Sequence, residues 1–288
     1  MQMWRWLSAI LGAGVLAGTA LIVPAAEANA AGAAGAADAA RAADAARAAD
    51  AVAVSVHRGK VPPGHPAVSL PNSGLLTSCG PGDDGIACNQ LALAAIKQAR
   101  RALEKLGGMS LSLPAYAKLT PAEQLFVVVN FERTERGLAP VVVLSRSLNA
   151  VAQAGARAGS DPAMKTVPRR LPGGGRTVYA SANWSGGWIN PLGADYAWMY
   201  DDGPGGSNLD CRTGTSRGCW GHRDNILNRF GGRASCSGAS VLAMGAGHAA
   251  AARGYRESDT VLLAGVCGPA PTDAAFTWAK ARQLLHIR

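Results

Sequence analysis

A short stretch, residues 198–227, carries the side chains of this chain that are best suited to chemistry. It contains Asp201 and His222, and Ser181 and Ser185 precede it closely. An imidazole, a carboxylate and a hydroxyl form a hydrolase site when the base activates the nucleophile and the acid orients the base. In that interpretation His222 is the base, Asp201 the orienting acid, and Ser181 or Ser185 the nucleophile. Neither serine lies in the G-x-S-x-G pattern of a nucleophile elbow, so the hydrolase is an alternative interpretation.

The same region is rich in tryptophan, whose ring contacts lipids, glycans and protein partners. A binding cleft here would be lined by His222, Asp201, Asn183, Trp184, Trp198 and Trp220. A place in the protein core is the commoner role of such rings, and the pattern alone leaves both roles open. Gly221 permits a close turn before His222, which predicts that the turn presents the imidazole.

Two segments of this chain resemble a known family. Residues 221–227, Gly-His-Arg-Asp-Asn-Ile-Leu, resemble the G-H-R-x-N-I-L motif of bacterial members of the CAP superfamily (cysteine-rich secretory, antigen five and pathogenesis-related proteins). Residues 130–140 resemble the element that starts bacterial CAP domains, and Trp198 resembles the tryptophan of a family helix. The resemblance covers roughly residues 120–268 and is closest to exported proteins of high-GC bacteria.

The resemblance implies both a fold and a function. The fold is α+β, a CAP-type α-β-α sandwich with a small, mainly antiparallel sheet. The function is that of a secreted binding or interaction module, with a lipid, glycan or protein ligand in the cleft around His222. We expect this module to be a monomer without a cofactor.

The chain departs from the family pattern at the cleft. CAP proteins bring two histidines and two acidic residues together in a cavity that can hold a divalent metal. Here Gly155 stands where the first histidine is expected and Ala182 replaces an acid, while His222 and Asp201 are kept. One imidazole and one carboxylate make a poor zinc site, so we predict no metal in the cleft. The other histidines are not obvious substitutes: His57, His65, His248 and His286.

Composition shifts divide the chain into segments with different predicted roles. Residues 1–30 have the charged start, apolar run and small-residue site of a secretory signal, and an uncleaved membrane anchor is the alternative. The remaining segments are an Ala-rich spacer and Pro-rich linker (31–78), a disulfide-closed turn with a leading helix (79–118), the CAP-like domain (119–270) and a C-terminal helix (271–288). The chain is therefore predicted to be extracellular, with membrane contact only through an uncleaved signal.

Local patterns predict several elements of the domain. Thr120, Pro121 and Glu123 form a capping box that starts a buried helix, and Ser145 or Ser147 caps the next. Residues 91–106 are predicted to form an amphipathic helix. Its basic residues are predicted to form a solvated face: Lys97, Arg100, Arg101 and Lys105. Residues 239–246 and 260–266 have the apolar, β-branched character of two paired strands.

Six cysteines in an exported chain indicate three disulfides. Proximity in sequence and the predicted strand pair favour Cys79–Cys88, Cys211–Cys219 and Cys236–Cys267. A cysteine metal cluster is the alternative, but no C-x-x-C motif occurs. The net charge of +9 is spread over the sequence, and the glycine-rich basic loop at 165–176 lacks interleaved aromatic residues. We therefore predict no nucleic-acid partner.

Overall fold

The computed structural model describes residues 64–216, 218–228, 236 and 240–287, so the predicted signal segment and Ala-rich repeat lie outside the described residues. Helices α1–α5 are Ser73–Ser78, Ile86–Ala99, Leu113–Tyr116, Pro121–Thr134 and Arg146–Ala158. Helices α6–α8 are Pro191–Tyr200, Gly221–Leu227 and Trp278–Leu285. Strands β1–β5 are Val143–Ser145, Arg176–Gly186, Ser240–Ala249, Ser258–Cys267 and Ala274–Thr277. Among the described helices, none combines the length and the apolar character that crossing a bilayer requires.

The strands form one five-stranded sheet in the order β2-β4-β3-β1-β5. The β3–β4 pair is antiparallel, as the sequence predicts, and β4 also pairs antiparallel with β2. Among the strands that the structure describes, the short β1–β3 pair is the parallel one. The predicted α+β class with a small, mainly antiparallel sheet is therefore confirmed.

Alternation along the central strands gives the sheet two apolar faces. In β4, Val261 and Leu263 join the larger core with helices α2, α4 and α6, while Leu262 and Ala264 join a second core beneath α5. Neighbouring residues of a strand point to opposite faces, so each strand contributes to both cores. The sheet is thus covered by helices on both sides.

Two glycines of β3 allow α5 to pack directly on the sheet. A Cβ atom at Gly245 would overlap the backbone of Leu148, and one at Gly247 would lie 2.5 Å from the Cα of Gln153. Only a residue without a side chain permits this approach of strand and helix backbones. The Gln153 amide then donates to the carbonyl of His248 at 2.7 Å, which fixes the end of β3.

Helix α4 begins and ends as its sequence predicts. The Thr120 hydroxyl accepts from the Glu123 amide, and the Glu123 carboxylate accepts from the Thr120 amide. Asn130 ties this helix to the segment that follows it, because its amide group donates to the carbonyl of Val141 and accepts from the Val141 N–H at 2.7 Å. Arg133 donates from Nη1 to the carbonyl of Ile226 at 2.6 Å, which ties α4 to the end of α7.

A buried ion network joins the helices on the larger core. Its members are Arg100, Glu104, Glu132, Arg136 and Arg223. The Glu132 carboxylate is fully buried, pairs with Arg100 and Arg136, and accepts from the Tyr200 hydroxyl at 2.8 Å. Burial alone would raise the pKa of Glu132, but the two guanidinium groups outweigh it and hold that pKa below its usual value.

The network corrects one prediction from the sequence. Arg100 is only 1 % exposed and does not belong to a solvated basic face. It lies in a π-helical turn, Arg100–Glu104, that continues α2, and it pairs with Glu132 and Glu135. A second correction concerns the C-terminal segment, where residues 274–277 form strand β5 before helix α8 begins.

All three predicted disulfides are confirmed: Cys79–Cys88, Cys211–Cys219 and Cys236–Cys267. No cysteine is free in this structure. The first joins Cys79, directly after α1, to Cys88 in the first turn of α2. The second closes a loop before α7, and the third joins Cys236 to the last residue of β4.

Loss of the Cys236–Cys267 bridge should cost more stability than loss of Cys211–Cys219. The bridges span 31 and 8 residues, and chain-entropy arguments assign them about 3.7 and about 2.5 kcal/mol respectively. Urea unfolding of the two double serine variants, compared with the unchanged protein, measures both values. A larger loss of unfolding free energy in the Cys211–Cys219 variant would contradict the prediction that Cys236–Cys267 contributes more stability.

Replacing Glu132 with Gln should lower the free energy of unfolding by about 3–5 kcal/mol, because it leaves two buried guanidinium groups without their carboxylate. Glu135→Gln is the matched control, since Glu135 also pairs with Arg100 but is 26 % exposed. Exposed ion pairs contribute about 0–1 kcal/mol, so this variant should lose much less. If urea unfolding shows equal losses of unfolding free energy in the two variants, the buried Glu132 does not contribute more stability than Glu135.

Candidate functional site

Helix α7 presents His222 from its first turn. Trp220 precedes the helix with a left-handed backbone (φ +64°), and the Asp202 carboxylate lies over the helix start. Its Oδ2 accepts from the backbone N–H groups of His222 at 2.9 Å and Arg223 at 3.2 Å. A carboxylate at the N-terminus of a helix satisfies donors that have no partner within the helix.

The imidazole of His222 is held by the same carboxylate. Its Nδ1 lies 2.6 Å from Asp202 Oδ1, which also accepts from the Asn208 amide at 2.7 Å. The Asp202 side chain is 1 % exposed, while that of His222 is 24 % exposed. The prediction that Asp201 orients His222 is therefore wrong. Asp201 lies in the turn after α6 and accepts from the Ser207 N–H at 3.2 Å.

The surroundings of His222 favour its charged form. Burial lowers the pKa of the imidazole, but the hydrogen bond and charge of Asp202, with the nearby charges of Asp161 and Asp210, raise that pKa above its usual value. Burial also raises the pKa of Asp202. The ring nitrogen Nε2 makes no hydrogen bond with the described residues, so it is the edge that the site offers to a ligand.

Asn183 positions α7 instead of contacting a ligand. It is fully buried, and its amide donates to the carbonyl of His222 at 2.9 Å. Asn225 donates to the Asn183 side chain and to the carbonyl of Ala182, each at 2.9 Å. These bonds fix the helix against β2 and correct the prediction of Asn183 as a lining residue of the cleft.

Backbone atoms surround Gly155, the position at which the CAP resemblance leads us to expect a histidine. A Cβ atom at Gly155 would lie 2.8 Å from the nitrogen of Pro162 and 3.0 Å from the carbonyl oxygen of Ser160. A histidine there would collide with the segment that follows α5. Gly155 is therefore a packing requirement of this chain as well as a departure from the family pattern.

Neither candidate nucleophile makes a hydrogen bond with the imidazole in the described part of the chain. Ser181 and Ser185 are 8 % and 7 % exposed, and their hydroxyls have no hydrogen-bond partner among the described residues. The structure thus brings together His222 and Asp202 but adds neither serine to the pair. A general base must lie within hydrogen-bond distance of the proton that it removes, and neither serine hydroxyl makes such a hydrogen bond with His222.

The tryptophans fall into two groups. Trp198 and Trp220 are 1 % and 3 % exposed, so their prediction as walls of the cleft is corrected and both are core residues. Trp184 is half-buried and donates to the Ser258 hydroxyl at 2.9 Å. Its ring meets Tyr255 edge-to-face with 5.2 Å between the centroids. Trp184 follows Asn183 along β2 and therefore points to the other face of the sheet.

A second polar cluster, which we call the His248 cluster, was not predicted from the sequence. It consists of His248 at the end of β3, Asp259 opposite it in β4, and Glu257 just before β4. The ring Nδ1 lies 3.1 Å from Glu257 Oε1 and 3.2 Å from Asp259 Oδ1. The side chains of Glu257 and Asp259 are 3 % and 1 % exposed, whereas His248 is 26 % exposed.

The side chains of the His248 cluster change one another's pKa values. The hydrogen bonds that the ring donates to the carboxylates of Asp259 and Glu257 raise the pKa of His248 to about 10, although burial opposes this. Burial raises the pKa of Glu257 to about 7 and also raises that of Asp259. At neutral pH the imidazole is therefore a cation between two carboxyl groups.

The His248 cluster borders a cavity of about 910 Å³. His248 and Glu257 line it, together with Gln124, Tyr255 and the loop 80–84. The predicted pair of strands is the feature of the sequence from which the His248 cluster could have been found. Extending both predicted strands by a few residues places His248 directly opposite Asp259, because the register continues to Ala249 and Ser258.

Comparisons with known proteins identify no relative of this chain. No family model, no curated protein and no solved structure matches it. The resemblance to CAP proteins therefore depends on the short motifs at 130–140 and 221–227.

Replacing Asp202 with Asn should lower the pKa of His222 toward its ordinary value of about 6.5, because the variant removes the charge that faces Nδ1. An NMR titration of the His222 ring protons measures this shift. Asp201→Asn is the matched control: it changes the neighbouring carboxylate, which contacts Ser207, and should leave the His222 titration nearly unchanged. A similar shift in both variants would argue against Asp202 as the partner.

Proposed function

We propose that this chain is an exported binding protein of the CAP type that captures an uncharged polar ligand at His222. The observation that carries the proposal is the arrangement of the imidazole. Asp202 holds Nδ1 at 2.6 Å, the side chain is 24 % exposed, and Nε2 has no partner among the described residues. With Nδ1 held by Asp202, Nε2 is the polar edge left for a ligand, and it donates a directed hydrogen bond whenever the ring is protonated.

The acidic neighbours select among ligand classes. Asp202, Asp161 and Asp210 all act on the imidazole, so the charge around the site is negative. A negative surrounding disfavours an anionic lipid headgroup and favours an acceptor without charge. The carbonyl of an acetamido sugar or of a peptide has this chemistry. A neutral cell-wall glycan is therefore the preferred ligand of the proposal.

Export accounts for the covalent features of the chain. Three disulfides persist in oxidising surroundings outside the cytoplasm. The apolar stretch at 7–23 followed by a small-residue site at 28–30 has the pattern of a secretory signal. The proposal places the folded domain outside the cell and assigns no role to the Ala-rich repeat.

The alternative, a hydrolase, has weaker support. The observation that favours a hydrolase is the His222–Asp202 pair, which resembles the base and the orienting acid of a catalytic triad. The buried hydroxyls of Ser181 and Ser185 do not complete that triad in the described structure. An active hydrolase would have to use the pair on a water molecule.

The purified protein should bind immobilised neutral cell-wall glycan more tightly than vesicles rich in anionic phospholipid. His222→Ala should weaken glycan binding at least tenfold, because it removes the directed donor. His65→Ala is the matched control: His65 contacts Asp224 of the same helix at 2.8 Å but lies outside the His222–Asp202 pair. Surface plasmon resonance with both variants measures the difference.

Three outcomes would contradict the proposal. They are a lack of glycan binding, equal losses in both histidine variants, and preferential binding of the anionic vesicles. Turnover of a model ester or peptide that disappears in His222→Ala would instead support the hydrolase.

A further inference from the structure

We propose that His248, Glu257 and Asp259 bind one divalent transition-metal ion, with zinc as the best-matched metal, at the wall of the cavity. This inference goes beyond the proposed binding at His222 and uses a separate set of side chains. The donor set is one imidazole nitrogen and two carboxylates, and the ion displaces the proton on Nδ1, which is released to solvent. Nitrogen donors favour zinc and related metals over magnesium and calcium, and three protein ligands are typical of a zinc site that keeps an open position.

The separations between the donor atoms suit a shared ion. Metal–ligand bonds of about 2.1 Å bring neighbouring ligand atoms to about 3.0–3.4 Å of one another in octahedral or tetrahedral geometry. The ring Nδ1 lies 3.1 Å from Glu257 Oε1 and 3.2 Å from Asp259 Oδ1. One donor atom from each residue lies within 4.8 Å of the others, so no rearrangement of the backbone is required.

An unsatisfied carboxylate oxygen gives an independent indication of a ligand. Asp259 is 1 % exposed, and its Oδ2 has no hydrogen-bond partner among the described residues. Ser185 lies opposite Asp259 in the β2–β4 pair, and its buried hydroxyl is also without a partner in this part of the chain. Buried carboxylate oxygens usually have a partner, so the free Oδ2 of Asp259, next to the two other donors, is the observation that favours a bound ion.

The backbone around the cluster is rigid enough to preserve the site. His248 and Asp259 occupy facing positions of two paired strands, and the Gln153 amide fixes the carbonyl of His248 at 2.7 Å. Ligands on fixed strands need little ordering when the ion binds. His248 and Glu257 also line the cavity, which provides an entry path and room for an exogenous oxygen ligand on the ion.

One other group of potential ligands occurs in the described part of the chain, and it is chemically closed. Cys79, Asp83 and Cys88 lie close together, but the two cysteines form a disulfide and offer no thiolate. His222 belongs to neither group. The prediction that His222 holds no zinc is thus compatible with a metal at the His248 cluster.

Calorimetric titration of the chelator-treated protein with Zn²⁺ should show one saturable site. His248→Gln and Glu257→Gln should each weaken zinc binding at least tenfold, because each removes one of three ligands. His222→Gln and Asp83→Asn are the matched controls, a histidine of the other site and a cavity carboxylate outside the cluster. Both should bind zinc as the unchanged protein does, and circular dichroism should show that all variants are folded.

A second measurement does not depend on variants. X-ray absorption of the zinc-loaded protein should show nitrogen and oxygen ligands at about 2.0–2.2 Å and no sulfur ligand. The absence of saturable binding of either Zn²⁺ or Mn²⁺ would overturn the proposal and leave a metal-free cluster held by the charged imidazole. Zinc binding lost in His222→Gln but kept in His248→Gln would also overturn it and assign the metal to the His222 site.

Discussion

The buried carboxylate of Glu132 is the constraint on which the rest of the structure depends. Removing an ion from water costs several kcal/mol, and only well-placed partners offset that cost. Arg100 and Arg136 supply the charges, and Tyr200 adds a hydrogen bond. Since these partners come from different parts of the chain, helices α2, α4 and α6 have one favourable arrangement.

The same network extends to the candidate functional site. Glu104 pairs with Arg136 and with Arg223, and Arg223 follows His222 directly in α7. The Arg223 guanidinium also donates to the carbonyl of Met199 at 2.8 Å. The position of the imidazole therefore depends on charges that lie deep in the core, and strand β2 adds a second restraint through Asn183.

Local signals in the sequence predicted the local features well. The capping box at Thr120, the three disulfides and the β3–β4 pair each depend on residues close in sequence or on simple alternation. Asp202 was missed because it lies beyond the end of α6, where helical spacing no longer determines direction. Burial of Arg100 was missed because its partner Glu132 is distant in sequence, and a helical charge pattern contains no information about such a partner. The His248 cluster was missed because the first predicted strand ended before His248 and the second began after Asp259.

The Cys79–Cys88 disulfide closes a loop that borders the cavity. Residues 80–84 of this loop form one wall, and a Cβ atom at Gly82 would lie 3.3 Å from Glu257 Oε2. A nascent chain in a reducing cytoplasm has no covalent closure of that wall. The oxidised and the reduced chain therefore differ by one covalent tie in the wall of this cavity.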